Sequence, residues 1–169
     1  MRIYQDIIRI TYYNKYQVAL EAGKVFRILS IEYIRLYDGV MELLEELKKT
    51  GKRVYLLSNA QRIFTEPEMR MLHIYDAFND ILMSSDQGCK KPSPNFYQAL
   101  IEKHHINKKE RIMIGNDPTA DIKGAYDVGL ASLYIHSNLS PEVDGELLSD
   151  YSVMDGDVRK VKKMILGRE

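Results

Sequence analysis

The sequence has no excess of either charge, almost no cysteine and no long apolar run, and each absence excludes a class of protein. It contains 24 Lys and Arg against 24 Asp and Glu, so no overall field attracts nucleic acid or an anionic membrane. The single cysteine, Cys89, excludes an intramolecular disulfide and a cysteine-rich zinc site. No run approaches the roughly 20 apolar residues of a membrane span, and the first residues mix charges with tyrosines, unlike a signal peptide. We therefore expect a soluble cytoplasmic protein.

The length of 169 residues, 45% of them hydrophobic, predicts one domain with a small appendage. From Ile3 to about Tyr37 the apolar residues recur at helical spacing, and Gly23 is predicted to divide this segment into two helices. A further amphipathic helix begins near Val40 and is ended by Gly51.

Beyond Gly51 the pattern alternates between short apolar runs and helical segments. Ser93 is a predicted helix N-cap with Pro94 at the first helical position. The alternation predicts an α/β fold, a doubly wound (Rossmann-like) parallel sheet with helices on both faces. The predicted strands are residues 53–60, 80–86, 111–115, 131–137 and 151–155, and the later helices are 119–128 and 158–166.

Three polar clusters follow three of these strands. They contain Ser58 and Asn59, then Lys91, and then the acids Asp117 and Asp121. Each cluster alone has a simpler interpretation, since a serine can cap a helix, a lysine can be solvated in a loop, and acids favour helix N-termini. The carboxyl ends of parallel strands share one edge of a sheet, however, so the clusters are expected to converge on one crevice.

The same clusters resemble the motifs of the haloacid dehalogenase-like hydrolase superfamily. LLSNA resembles its second motif, GCKKP its third and IGNDPTAD its fourth, in the same order and strand context. The resemblance extends from about Asp38 to the C-terminus. It implies a Rossmann-like core in residues 38–169 and a helical cap segment, expected to be incomplete, in residues 1–37.

The resemblance implies Mg²⁺-dependent hydrolysis of the phosphate monoester of a small metabolite, through an aspartate nucleophile. Ser58 and the Asn59 backbone N–H would hold the phosphoryl oxygens, and Lys91 would neutralise charge on the nucleophile and phosphoryl group. An Asn directly follows the motif glycine where an acid is commoner, so Asp117 is our first choice as the metal ligand and Asp121 the second. These residue types suit phosphoryl transfer, which needs charge stabilisation more than covalent help.

The first motif of the superfamily, two aspartates one residue apart at the end of the first strand, has no counterpart upstream of Ser58. Only Asp6 and Asp38 occur there, and neither is part of an Asp-x-Asp. The core is therefore expected to lack its first strand. Truncation is the favoured explanation; a natural relative that binds without catalysing and a second chain that supplies the strand are the others.

Without the missing strand, we expect no turnover from this chain, and a vacant or weakly occupied metal site beside Ser58 and Lys91. The alternative function is a non-catalytic phosphate-binding or interaction module. An open gap in the sheet would also leave unpaired strand edges, through which the chain could form a homo-oligomer.

Overall fold

The structure is a computed structural model that describes the backbone of residues 2–167 and the side chains of residue 15 and residues 17–167. In chain order its elements are α1 Arg2–Ser30, α2 Val40–Lys49, β1 Tyr55–Ser58, α3 Arg62–Met71, β2 Asp80–Met83, α4 Ser84–Gln87, α5 Pro94–Lys103, β3 Ile112–Gly115, a π-helical segment Pro118–Lys123, α6 Gly124–Asp127, β4 Ala131–Ile135, β5 Tyr151–Val153 and α7 Val158–Leu166.

All the strand pairs are parallel, which confirms the predicted fold class. β1 pairs with β2, and β3, β4 and β5 follow one another in a second ladder. The second strand is shorter than predicted, because the chain turns into α4 at Ser84. The helix predicted over residues 119–128 begins as the π-helical segment and continues as α6.

Helices cover both faces of the strands, and the strand side chains alternate between them. On β3, Met113 packs with a cluster formed by α5 and α6, whereas Ile112 and Ile114 pack with α2 and α7. On β1, Leu57 joins the α5 cluster and Leu56 packs with α3. This period of two is that of strands buried on both faces. Because α5 covers both ladders on the same side, they belong to one layer.

That layer is interrupted between β1 and β3. Within the described residues no ladder joins these two strands, so each has one edge without a partner strand. The side chains of β3 are all only partly buried, whereas the centre of β4 is fully buried. The interruption therefore lies beside an apolar strand that a neighbouring strand would cover.

The prediction that Gly23 ends a helix is wrong. α1 continues through this glycine to Ser30. An interior glycine costs a helix about 1 kcal/mol relative to alanine, which the surrounding helix formers and packing against α3 can offset. The Phe64 ring of α3 lies against Gly23, and Arg27 of α1 forms an ion pair with Glu68 at 2.7 Å. No helix in the described part of the chain has both the length and the apolar character of a membrane span.

The sequence pattern did not predict α3, which has a proline in its interior. Pro67 removes a backbone donor and weakens any helical prediction. Two ion pairs at i, i+4 spacing offset a small part of this cost, because Glu66 accepts from both Arg62 and Arg70, and burial of Met69 adds packing.

The predicted start of α5 is confirmed, since Ser93 occupies the N-cap position and Pro94 follows it. The Ser93 side chain, however, makes no capping hydrogen bond.

An acid–base cluster lies at the opposite end of the strands from the polar loops. Asp80, the first residue of β2, accepts hydrogen bonds from His104 Nε2 at 2.6 Å and from the Ile81 N–H at 2.9 Å, and Lys103 Nζ is 2.7 Å away. Burial alone would raise the pKa of this carboxyl. The hydrogen bonds from Lys103, His104 and Ile81 outweigh burial and hold the pKa of Asp80 at about 2.

We expect this cluster to make the fold sensitive to acid. A carboxyl whose pKa is lowered by folding stabilises the protein above its unfolded pKa, near 4, and loses that contribution as the pH falls towards 2. The contribution amounts to about 2 kcal/mol. Urea unfolding at neutral pH and near pH 2.5 should therefore show a smaller loss of stability for Asp80→Asn than for the wild type. Asp76→Asn, a change at an exposed neighbouring acid, should follow the wild type; if Asp80→Asn does too, the cluster is not the acid-sensitive element.

Candidate active site

The three predicted clusters lie at one edge of the layer. Ser58 is the last residue of β1, Gly115 is the last residue of β3, and Asp117 follows two residues later. Lys91 stands in the turn before α5, joined to Pro92 by a cis peptide bond. Because the strands are parallel, their carboxyl ends open onto a common crevice, the usual position of a site in this class of fold.

The side chain of Asn59 holds the backbone of Lys91 through two reciprocal hydrogen bonds. Asn59 Nδ2 donates to the Lys91 carbonyl oxygen at 2.9 Å, and the Lys91 N–H donates to Asn59 Oδ1 at 2.7 Å. The amide thus ties the turn to the end of β1. The sequence indicated only the backbone N–H of Asn59 as functional, because a motif does not reveal where a side chain points.

Lys91 joins the loops across the interruption. Its Nζ donates to Asp121 Oδ1 at 2.6 Å, and the two side chains are only 11% and 7% exposed. The backbone of Lys91 is therefore fixed to the β1 side and its ammonium group to the β3 side. Removing either partner of such a buried pair leaves an uncompensated charge.

Both carboxylate oxygens of Asp121 have partners within the protein. Besides the ion pair at Oδ1, Oδ2 accepts the backbone N–H groups of Asn116 and Asp117, each at 3.0 Å. Gly115 permits this geometry, because a Cβ there would lie 2.2 Å from Asp121 Oδ2. Asp121 therefore acts here as the anchor of the loop and of Lys91, with less freedom to bind a metal than Asp117.

Asp117 uses one oxygen to begin the helix and leaves the other without a hydrogen bond from any described residue. Its Oδ1 accepts from the backbone N–H groups of Thr119 at 2.9 Å and Ala120 at 2.7 Å. Its carboxylate is partly exposed at the crevice. A hard cation such as Mg²⁺ prefers one or two carboxylate oxygens together with water and phosphate oxygens, and Asp117 can supply one of them.

Among the described side chains, no group of three or more His, Cys, Asp and Glu residues could hold a metal ion. Asp117 thus fits Mg²⁺ as a single carboxylate ligand, and a second carboxylate would have to come from outside this cluster. The expectation of a vacant or weakly occupied metal site stays a prediction.

Two contacts around the acidic loop were not foreseen from the sequence. Asn116 Nδ2 donates to Ser137 Oγ at 3.0 Å, which turns this side chain towards the end of β4. The hydroxyl of Tyr97 donates to the carbonyl oxygen of Ala120 at 2.5 Å. Helical spacing places Tyr97 on the same face of α5 as Ile101 and so could have indicated its burial, but not its hydrogen bond.

The chain does contain one Asp-x-Asp, Asp155-Gly156-Asp157, after β5. Asp155 is paired with Lys160, and Asp157 caps α7 by accepting from the Arg159 backbone N–H at 3.0 Å. β5 is the outer strand of its ladder, separated from β3 by β4. These acids therefore do not face the interruption next to β1 and are not candidates for a nucleophile beside Lys91.

A family model described as haloacid dehalogenase-like hydrolase matches residues 8–135 of the chain. The chain belongs to this family. The match includes β1, the Lys91 turn and the acidic loop, so the three clusters that converge in the structure are all within it.

Curated relatives of this haloacid dehalogenase-like chain include phosphatases. A glyceraldehyde 3-phosphate phosphatase of Pyrococcus furiosus is 26% identical over 125 residues, which cover 73% of this chain and 52% of the relative. A phosphoglycolate phosphatase of Vibrio vulnificus is 36% identical over 97 residues, covering 57% of this chain and 42% of the relative. The chain spans about half the length of the curated relatives it matches.

Solved structures of the family share the fold. The 2-haloacid dehalogenase of Pseudomonas syringae superposes with a TM-score of 0.70 at 23% identity, over 90% of this chain and 61% of that one. The HAD-hydrolase YfnB of Bacillus subtilis, determined bound to magnesium, has a TM-score of 0.69 at 24% identity, over 77% and 56%. At these identities the likeness concerns the architecture of the strands and helices alone.

Proposed function

We propose that the protein to which this chain belongs hydrolyses phosphate monoesters of a small metabolite with the help of Mg²⁺. The observation that carries the proposal is the convergence of Ser58, Lys91 and Asp117 at one edge of the sheet, beside the interruption between β1 and β3. Membership of a family that includes phosphatases supports it.

Lys91 is suited to stabilise the negative charge that gathers on a phosphoryl group. An ammonium group has three donors, and the ion pair with Asp121 uses one of them. The remaining donors can serve a phosphoryl oxygen and an attacking carboxylate. The two bonds from Asn59 fix the backbone that carries this lysine, so the charge is positioned before substrate binds.

Ser58 is suited to bind a phosphoryl oxygen. No described residue makes a hydrogen bond to its hydroxyl, and Ser58 lies where the backbone of β1 ends. Asp117 would hold Mg²⁺ through the oxygen that does not cap the helix. When bound, Mg²⁺ neutralises phosphate charge during the transfer.

The nucleophile is the component that the described residues do not supply. We propose that it is a carboxylate carried by a strand lying between β1 and β3, where both neighbouring edges are unpaired. Such a strand would end at the same edge as Ser58 and Gly115, and would bring its acid close to Lys91. This chain without the strand should then bind phosphate weakly and turn over nothing.

Two proteins test this function: this chain, and a longer version extended at its N-terminus by any in-frame residues that are encoded upstream of Met1. With p-nitrophenyl phosphate and Mg²⁺, we expect hydrolysis by the longer protein, at least about 10⁶-fold above the uncatalysed rate, and none by this chain. EDTA should abolish the activity. An inactive longer protein whose circular dichroism shows the folded state would contradict the proposal.

The same two proteins also test the alternative function, a non-catalytic phosphate-binding module. In that case phosphate would raise the melting temperature of both proteins by mass action, and neither would hydrolyse the ester. Lys91→Ala should abolish the shift in melting temperature, whereas Lys90→Ala, at an exposed neighbouring lysine, should preserve it.

A further inference from the structure

Tyr97 links the helix that follows the Lys91 turn to the acidic loop. It lies in the first half of α5 and is 1% exposed. Its hydroxyl donates to the Ala120 carbonyl oxygen at 2.5 Å and is 3.2 Å from the Asp121 carbonyl oxygen. A buried phenol that serves two backbone carbonyls of one loop restrains the path of that loop.

The carbonyls that Tyr97 contacts belong to the π-helical segment. The Asp117 carbonyl oxygen there accepts from the N–H of both Asp121, at 2.9 Å, and Ile122, at 3.2 Å. π-helical turns are rare and occur often at functional sites. Here the hydroxyl of Tyr97 from α5 bonds to the carbonyls of this segment, in addition to the cap that Asp117 Oδ1 makes with the N–H groups of Thr119 and Ala120.

Gly124 lets the phenol approach this closely. A Cβ at Gly124 would lie 2.6 Å from Tyr97 Oη, too close for any side chain to fit without displacing the ring. The glycine has an ordinary helical backbone, with φ of −61°, so its role is to provide space.

Tyr97 and Lys91 thus hold the same acid from two directions. Tyr97 is close to the backbone carbonyl of Asp121, and Lys91 binds its carboxylate. Both residues come from the one turn and helix that begin at the cis peptide bond of Pro92. The turn and the acidic loop therefore form one unit.

We propose that Tyr97 is a positioning residue, whose hydroxyl fixes the π-helical segment so that Asp121 meets Lys91 and Asp117 is presented at the crevice. The effect on the loop depends only on the contacts described above. The consequence for catalysis rests on the proposed phosphatase function.

The first test measures the loop in this chain, without any reaction. Tyr97→Phe removes one oxygen atom and keeps the ring. We expect it to speed amide hydrogen exchange at residues 116–122 by about tenfold, the effect of losing one buried hydrogen bond. Tyr134→Phe is the matched control, because Tyr134 is 0% exposed and its hydroxyl bonds to His136, not to a carbonyl of the loop. Unchanged exchange in Tyr97→Phe, or equal acceleration in both variants, would overturn the proposal.

The second test measures the consequence in the longer protein. Tyr97→Phe should lower kcat and raise the Mg²⁺ concentration for half-maximal activity, each by about three- to tenfold, with KM for the ester little changed. Tyr134→Phe should match the wild type. If exchange accelerates but kcat and the Mg²⁺ dependence do not change, the hydroxyl has no positioning role. If the wild-type longer protein is inactive, the proposed function fails, and the exchange measurement still decides whether Tyr97 fixes the loop.

Discussion

Lys91→Met should lower the free energy of unfolding of this chain by about 3 kcal/mol, the lower end of the range for breaking a buried ion pair. The substitution leaves the Asp121 carboxylate 7% exposed and without its cation. The two backbone N–H groups that Asp121 also accepts soften the effect but do not neutralise the charge. Urea denaturation at neutral pH measures the change.

Two further variants separate the ion pair from the general effect of losing a lysine. Lys90→Met changes the exposed neighbour and should stay within about 0.5 kcal/mol of the wild type. The double variant Lys91→Met/Asp121→Asn removes both charges and should recover part of the loss, because no buried charge is left unpaired. Equal stabilities for Lys91→Met and Lys90→Met would mean that the pair contributes nothing.

Asp117→Asn in the longer protein should reduce hydrolysis at limiting Mg²⁺ by on the order of 100-fold, and should leave the free energy of unfolding within about 0.5 kcal/mol. The reason is that one oxygen of Asp117 caps the π-helical segment while the other is available to a cation. An asparagine Oδ1 can still accept from the Thr119 and Ala120 N–H groups and cap the helix. It carries no charge for a cation. Rates measured across a Mg²⁺ titration test the first effect, and urea denaturation tests the second.

Asp127→Asn provides the control for charge. Asp127 is the last residue of α6, ten residues further along the chain, and is paired with Lys123 at the surface. Neutralising it should leave the Mg²⁺ dependence unchanged. Should Asp121→Asn shift the Mg²⁺ dependence while Asp117→Asn does not, the second-choice ligand would be the correct one.

The sequence predicted the elements whose burial leaves a periodic pattern. β1 and β3 are short apolar runs, β1 ending at Ser58 and β3 at Gly115 just before the polar Asn116, and α7 is bounded as its spacing indicated. Convergence of the three clusters could be predicted because parallel strands end at a common edge, whatever the side-chain detail. The assignment of residues 1–37 to a cap stays a prediction.

The details that depend on tertiary contacts could not be predicted. Gly23 reads as a helix end, yet its helix continues because α3 packs against it. Spacing placed Asp121 near the crevice but could not show that both its oxygens are taken up by Lys91 and the loop backbone. Likewise, nothing local to Asn59 indicates that its amide faces the turn 32 residues later. The orientation of each of these side chains depends on its rotamer and on partners that are distant in sequence.

The interruption between β1 and β3 also bears on how the two groups of strands unfold. In a continuous sheet, backbone ladders couple neighbouring strands, so the strands open together. Here the β1–β2 and β3–β5 halves are connected through α5, the amide of Asn59 and the ammonium group of Lys91. We expect the two halves to open with different free energies, which amide hydrogen exchange would measure. On the proposed function, phosphate bound between Ser58 and Lys91 would hold the two halves together, and exchange in both halves would slow when phosphate is added.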